Sequence, residues 1–257
     1  YGLRPITTSE MVKTSANQCR DNPGAMDGAK GSTKGTGGSN DMTMSTVSIV
    51  KKDQSVADAV RKAVNLVGGI EKYVNPGDKV AIKPNLAYPD PPPASTSPLV
   101  VEAVAKMCFE AGAKEVGIGD STPYYAKKEI GLDYWENNYV LEKTGIYDVA
   151  KKTGAKVIDF DKEKWSLVDI PGAVILKKAE IASVMLESDV VINIPALKTH
   201  AETLVTLGIK NYHGILPDHY KIQFHKDDIS QKLVDLHKKV KTHLTIMDGL
   251  LGMQGMG

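Results

Sequence analysis

Polar and charged side chains recur at four points where an apolar run of this sequence ends. In an open parallel sheet, ligands bind beyond the carboxyl ends of the strands, because loops and helix amino ends converge there. Buried polar groups at such ends must be satisfied by one another or by a ligand. We therefore expect the four clusters to share one site. They are Lys83-Pro84-Asn85, Gly119-Asp120-Ser121, Lys198-Thr199-His200 and Asp248-Gly249.

The lysines in these clusters predict a site for a small anion. An ammonium fixed at the floor of a cleft suits a carboxylate or a phosphate, although a lysine after a strand can also extend to solvent. The Ser95-Thr96-Ser97 segment lies at a predicted helix amino end, where it could bind an anion or cap the helix. The predicted ligand-binding residues are Lys83, Asn85, Ser95, Thr96, Ser121, Lys198, Thr199, Lys210 and Asn211.

Two residues are the candidates for catalysis, Asp120 and His200. A carboxylate at a strand end could bind a divalent cation, act as a base, or tie a loop through hydrogen bonds. We predict a divalent metal at Asp120 and Asp248, and an acid or base role for His200, the only imidazole expected near the cleft. The other histidines are interpreted as structural or solvated, since the six-residue spacing of His213, His219 and His225 fits no helix face or zinc motif, and His237 and His243 are expected at the surface.

The usual nucleotide-binding motifs are absent from the sequence. There is no Walker-type Gly-Lys-Ser/Thr pattern, and Gly117-Ile118-Gly119-Asp120 is not a G-x-G-x-x-G fingerprint. Nucleotide binding of the usual kinds is therefore disfavoured.

The elements that must position these residues alternate between strand and helix, which predicts an α/β fold with a mainly parallel sheet and crossover helices. Helices are expected after the caps Ser55 and Ser97, and through Leu233, Leu236 and Val240. A small antiparallel hairpin is expected from Trp165–Ile170 and Ala173–Lys178. The other predicted strands are Thr43–Val50, Lys79–Ile82 ending at Lys83-Pro84, Glu115–Gly119, Lys156–Phe160, Asp189–Pro195 and Leu244–Met247.

Composition limits the function classes. The 257 residues carry 32 basic and 31 acidic side chains, interspersed, which disfavours nucleic acid as a partner. No apolar run approaches the roughly 18 residues of a membrane span. The two cysteines, Cys19 and Cys108, cannot form a multi-cysteine metal site by themselves.

The first 41 residues differ in composition from the rest. Residues 1–41 are predicted to be a polar tail, and residues 42–257 a single α/β domain. A tail pinned by a neighbouring subunit would make the protein a homo-oligomer or larger assembly. The start at Tyr1 favours a processed, exported, extracytoplasmic protein; a cytoplasmic location is the alternative.

The strand-end clusters, together with Asn193-Ile194-Pro195-Ala196-Leu197 and Gly208-Ile209-Lys210-Asn211, resemble the domain of unknown function numbered 362 from about Ser45 to Gly257. The resemblance implies an α/β fold and no general reaction. Some members carry ferredoxin-like cysteine clusters and some are exported by the twin-arginine route. This chain lacks such cysteines, so no iron–sulphur cluster is expected. Because members continue into more sheet beyond this point, the domain is expected to be truncated at Gly257.

Two functional hypotheses follow. The first is an enzyme or enzyme-like module that binds a small anionic ligand, with a divalent metal, at the strand carboxyl ends. The alternative is a non-catalytic extracytoplasmic binding or assembly protein that uses its N-terminal tail to oligomerise.

Overall fold

Five parallel strands form the main sheet in the computed structural model, which describes residues 45–122 and 135–255. The order is β3-β2-β1-β6-β9; β4 and β5 form a separate antiparallel pair, and β10, β7 and β8 form a third sheet. In chain order the strands are β1 Lys79–Pro84, β2 Glu115–Asp120, β3 Lys156–Asp159, β4 Trp165–Asp169, β5 Lys178–Ala182, β6 Val190–Ile194, β7 Ala196–His200, β8 Leu204–Val205, β9 Leu244–Thr245 and β10 Asp248–Met253.

Helices cover both faces of the main sheet. Ser55 caps the first helix by accepting a hydrogen bond from Asp58 N at 3.0 Å. Among the described residues, no helix has the length and apolar character needed to cross a membrane. The helices are α1 Val56–Leu66, α2 Pro98–Glu110, α3 Asn137–Lys143, α4 Ile146–Thr153, α5 Val184–Glu187, α6 Leu207–Asn211, α7 Asp218–His225 and α8 Ile229–His237, with 3₁₀ turns at Ile70–Lys72 and Tyr212–Ile215.

The central strands are buried on both faces. Every residue of β6 is buried, and in β1 only the first is exposed, as expected for strands between two helical layers. Side chains alternate between two apolar cores: Ile82 and Ile192 pack on one side, Ala81 and Val191 on the other. The register places Lys83 beside Asn193, so β1 and β6 end at the same edge.

Two glycines of β2 allow β3 to lie unusually close. A Cβ added at Gly117 would lie 2.2 Å from Ile158 Cδ1, and one added at Gly119 would lie 2.2 Å from the Ile158 carbonyl oxygen. At Gly119 only glycine fits, because the β3 backbone itself lies there, whereas at Gly117 the close contact is a side-chain methyl group. The glycines before Asp120 therefore serve sheet packing.

The predicted α/β fold is confirmed, with three corrections. Residues 45–50 form no strand; Ser48 Oγ instead donates to Ala63 O at 2.7 Å, against α1, with no neighbouring strand to pair. Strand β1 continues through Lys83 and Pro84, because proline lacks only the amide donor and its extended backbone still fits the strand end. The rest of Thr43–Val50 and the predicted tail lie outside the described residues.

The third correction concerns the second arm of the hairpin. It is Lys178–Ala182 rather than Ala173–Lys178, because the buried Asp235 carboxylate holds the preceding segment as a loop. Its oxygens accept hydrogen bonds from the amides of Val174, Ile175 and Leu176 at 2.7–3.0 Å. An amide bound to a carboxylate cannot also pair with a strand.

Candidate functional site

A buried ion pair joins the ends of β1 and β2. Lys83 Nζ lies 2.7 Å from Asp120 Oδ1, and the two side chains are only 1% and 4% exposed. The same ammonium donates to Pro84 O at 3.0 Å and to Asn211 Oδ1 at 3.2 Å, which occupies its three donors. Burial lowers the pKa of Lys83, and the charge of Asp120 opposes that shift.

The Asp120 carboxylate also ties two loops. Oδ1 accepts a hydrogen bond from Ser121 N and Oδ2 accepts one from Leu86 N, both at 2.9 Å. These contacts show that Asp120 connects two loops through hydrogen bonds, which was one of the roles expected for it. Its catalytic and metal-binding roles stay predictions.

Gly214 packs directly against the ion pair. A Cβ added there would lie 2.0 Å from Asp120 Oδ1 and 2.8 Å from Lys83 Nζ. The Gly214 carbonyl also accepts a hydrogen bond from Ser121 N at 3.2 Å. The turn Tyr212–Ile215 can therefore cover the pair only because this residue has no side chain.

Two asparagines connect α6 to the strand ends. Asn211 Nδ2 donates to Asn193 Oδ1 at 2.7 Å, and Asn193 Nδ2 donates to the Gly208 carbonyl at 2.9 Å. Because Asn211 Oδ1 also accepts from Lys83, one side chain links β1, β6 and α6. Asn211, a predicted ligand-binding residue, thus contacts protein groups, and it fixes the helix that carries Lys210.

A second buried lysine, Lys221 on α7, was not identified from the sequence. Its Nζ donates to Ser121 O at 2.9 Å, Ser121 Oγ at 2.6 Å and Thr122 O at 2.9 Å. Ser121 Oγ in turn donates to Asp161 Oδ1, whose pKa burial raises to about 6. Since three acceptors surround Lys221, this group holds the chain after β2 in place.

The Ser-Thr-Ser segment before α2 bonds mainly to the protein itself. Thr96 Oγ1 accepts from Asn85 N at 2.8 Å and donates to Ile194 O at 2.7 Å, so it bridges the ends of β1 and β6. Ser95 Oγ donates to Tyr88 O at 2.9 Å. The Asn85 side chain is different, because its buried Oδ1 has no hydrogen-bond partner among the described residues.

Asp248 caps α2 from the end of the chain. Its Oδ2 accepts from Ser97 N at 2.7 Å and its Oδ1 accepts from Leu250 N at 3.1 Å. Burial raises the pKa of this carboxyl, and the two amides oppose that shift. Within residues 45–122 and 135–255, no group of three or more His, Cys, Asp or Glu side chains is arranged to hold a metal ion. The metal role of Asp120 and Asp248 stays a prediction.

Lys198 and Lys210 are mostly buried, but their contacts differ. Lys198 Nζ donates to Ala94 O at 3.0 Å and lies 5.6 Å from the centre of the Tyr88 ring. Lys210 is 8% exposed, and its Nζ makes no hydrogen bond or ion pair with any residue that the structure describes. Burial lowers the pKa of each lysine to about 8. For Lys210, the charges of Lys83, Lys198 and Lys221 add to this effect.

Three histidines form a row beside Lys210. The rings of His200 and His225 stack with centres 6.3 Å apart, and those of His225 and His213 meet edge-on at 4.6 Å. Burial, followed by the charge of Lys210, lowers the pKa of His200 to about 4 and that of His213 well below its usual value. Burial lowers the pKa of His225 as well, and the Glu202 carboxylate, 3.5 Å from its Nε2, opposes that shift.

The three histidine rings differ in their hydrogen bonds. His200 Nδ1 accepts from the amides of Glu202 and Thr203, and His225 Nδ1 donates to the Lys221 carbonyl. The buried Nε2 of His213 has no partner among residues that the structure describes. Sequence spacing could not show this, because the row depends on how α7 packs against the turn Tyr212–Ile215.

The remaining predicted residue, Thr199, and the other histidines bond to protein groups outside the lysine cluster. Thr199 Oγ1 donates to Met253 O at 3.4 Å, between β7 and β10. His219 is exposed and lies 3.3 Å from Glu180. His237 and His243 were expected at the surface but are half-buried, bonded to the backbone of α8 and β6 respectively.

Two surface cavities lie away from the lysine cluster. One, of about 390 Å³, lies between α1 and α2, next to Leu99 and Lys106. The other, of about 330 Å³, lies between β1–β3 and α5, next to Lys79 and Ser183. Because the clustered lysines line neither cavity, charge and unpaired polar atoms, rather than volume, identify the candidate site.

Comparison with known proteins gives a relative in sequence and likenesses among solved structures. The "Thylakoid-associated protein sll1697" of Synechocystis sp. is 30% identical over 211 residues, which are 79% of this chain and 61% of the relative. The structure of the lactate racemase apoprotein from Thermoanaerobacterium thermosaccharolyticum is 13% identical, with a TM-score of 0.40, over 77% of this chain and 50% of that one.

The family comparison is more extensive. The model described as "Domain of unknown function (DUF362)" matches residues 80–257, which include all four strand-end clusters. The chain therefore belongs to the DUF362 family.

Proposed function

We propose that this protein binds a small anion, a carboxylate or a phosphate, beside Lys198 and Lys210 at the carboxyl ends of the parallel strands. The observation that supports this most directly is the Lys210 ammonium, which pairs with no residue that the structure describes. Lys83, Lys198 and Lys221 each donate to protein oxygens. Among the described residues, Lys210 makes no such bond and Lys198 makes only one, so both ammonium groups keep donors for a ligand.

The energetics favour an anionic ligand. Burying a charged ammonium without a partner costs several kcal/mol, unless the group loses its proton or an anion compensates it. Here the neighbouring cations Lys83, Lys198 and Lys221 increase that cost, whereas Glu202 offsets part of it. An anion would pair with Lys210 and reduce the repulsion among the lysines at the same time.

The surrounding groups would serve such a site in different ways. The Lys83–Asp120 pair and the Asn211 link would support the site structurally, because their polar atoms already bond to other protein groups. The neutral His213, and His200 at the other end of the row, could transfer protons at a bound ligand. An enzyme-like role is therefore part of the proposal, and the chemistry of the bound ligand would determine which reaction takes place.

Isothermal titration calorimetry with inorganic phosphate and with small carboxylates tests this proposal. We expect saturable binding, and a Kd raised about 10- to 100-fold in Lys210→Gln, because a charge-assisted hydrogen bond is worth about 1.5–3 kcal/mol. Lys62→Gln is the matched control, since Lys62 is an exposed lysine on α1. Absence of binding to every anion, or equal binding by Lys210→Gln and the control, would contradict the proposal.

A further inference from the structure

We propose that the Lys210 amine is a nucleophile that forms an imine with a small carbonyl compound carrying an anionic group, while Lys198 holds that group. This rests on the proposed anion site and assigns a chemical class to its ligand. The contacts of the two lysines suit these two roles. Lys198 is fixed by the Ala94 carbonyl and the Tyr88 ring, whereas Lys210 is bonded to no described residue.

An attacking lysine needs an accessible nitrogen with a free lone pair. Lys210 is largely buried, yet its Nζ is not among the fully buried unpaired atoms, so the nitrogen retains contact with solvent. No described acceptor competes for its hydrogens. The backbone that carries Lys210 is also held in place, because the adjacent Asn211 is hydrogen-bonded to β1 and β6.

The neighbouring charges favour the neutral amine. Buried lysines next to other cations are a recognised arrangement for amine nucleophiles, because the cations oppose protonation. Burial lowers the pKa of Lys210 to about 8; Glu202 opposes that shift, and the three neighbouring ammonium groups add to it. Roughly a tenth of the molecules would then carry a neutral amine at pH 7, compared with well under a thousandth for an ordinary lysine.

The proton transfers can be assigned to His213. The Lys210 nitrogen attacks the carbonyl carbon, a C–N bond forms, and the carbonyl π electrons move to oxygen. His213 Nε2, buried and without a described partner, takes a proton from the nitrogen and returns it to the oxygen. His213 then passes the second N–H proton to the hydroxyl group, the C–O bond breaks, water leaves, and the nitrogen lone pair forms the C=N bond. Amine and carbonyl give imine and water, so no oxidant or reductant is needed.

Reductive trapping tests the proposal on the full chain. The protein is incubated with pyruvate, or with glycolaldehyde phosphate, in the presence of sodium cyanoborohydride, and modified lysines are located by peptide mass spectrometry. We expect Lys210 to be labelled at least about 10-fold faster than the exposed Lys62 in the same molecule. The reagent that gives the larger ratio of Lys210 to Lys62 labelling identifies the anionic group as carboxylate or phosphate, because this ratio cancels the difference in reactivity between ketone and aldehyde.

Two variants separate the imine from simple binding. Lys210→Arg keeps a positive charge, so it should retain phosphate binding and lose the site-specific label. His213→Gln should slow trapping at Lys210 without changing the Kd for phosphate, which a purely structural role would not do. Labelling of Lys210 no faster than Lys62, with phosphate binding intact, would overturn the imine and leave the anion site. Loss of both would overturn both.

Discussion

Removing the negative charge of Asp120 should destabilise the protein severely. In Asp120→Asn the Lys83 ammonium, 1% exposed, loses its only ion-pair partner among the described residues. Breaking a buried pair from one side costs about 3–5 kcal/mol, because an uncompensated charge remains. A typical domain has only about 5–15 kcal/mol of stability, so Asp120→Asn should lose roughly a fifth of it or more. Lys83→Met combined with Asp120→Asn should cost less than the sum of the single changes, by about 1–3 kcal/mol.

The assay is urea unfolding of the full chain, followed by circular dichroism. Arg61→Gln is the control, because it breaks an ion pair of 2.6 Å with Glu110 whose side chains are 48% and 54% exposed. An exposed pair of this kind contributes about 0–1 kcal/mol. If Asp120→Asn lost no more stability than Arg61→Gln, or if the effects of the two changes in the double variant were strictly additive, the buried Lys83–Asp120 pair would not stabilise the fold as proposed.

Three further outcomes are expected. Gly214→Ala places a Cβ 2.0 Å from Asp120 Oδ1 and should cost about 1–3 kcal/mol by thermal unfolding, whereas Gly249→Ala, 3.7 Å from its nearest contact, should cost less. Carboxylate affinity should fall as pH rises from 7 to 9, because Lys198, with a pKa of about 8, loses its charge; constant affinity by calorimetry would contradict this. Asp235→Asn should speed amide hydrogen exchange in the loop before β5 about 10-fold or more, and unchanged exchange would mean that its carboxylate does not hold the loop.

The sequence was informative where a local pattern determines a position in space. Parallel strands end at one edge of a sheet, so polar residues after separate strands could be predicted to meet, as Lys83 and Asp120 do. The helix starts after Ser55 and Ser97 were also predictable from local sequence: Ser55 caps its helix with its side chain, whereas Ser97 makes no such bond and Pro98 begins the next helix. Segment 45–50 was misjudged, because alternating Val47 and Ile49 resemble a strand whether or not a partner strand exists.

The missed residues depend on contacts between distant segments. Lys221 meets Ser121 across 100 positions of sequence, and no local signal distinguishes it from a surface lysine on α7. Gly214 has an ordinary backbone, and its importance is visible only once Asp120 lies beneath it. The row of histidines likewise depends on the packing of α7 against a turn, which six-residue spacing does not encode.

The asparagine link between α6 and the strand ends has a kinetic consequence. Asn211 and Asn193 anchor the helix through hydrogen bonds between protein groups alone, so we expect the chain next to Lys210 to need no rearrangement when a ligand binds. Stopped-flow traces should then show one exponential, with a rate constant that rises linearly with anion concentration and reaches no plateau. The lifetime of the complex, rather than the speed of capture, would distinguish one anion from another.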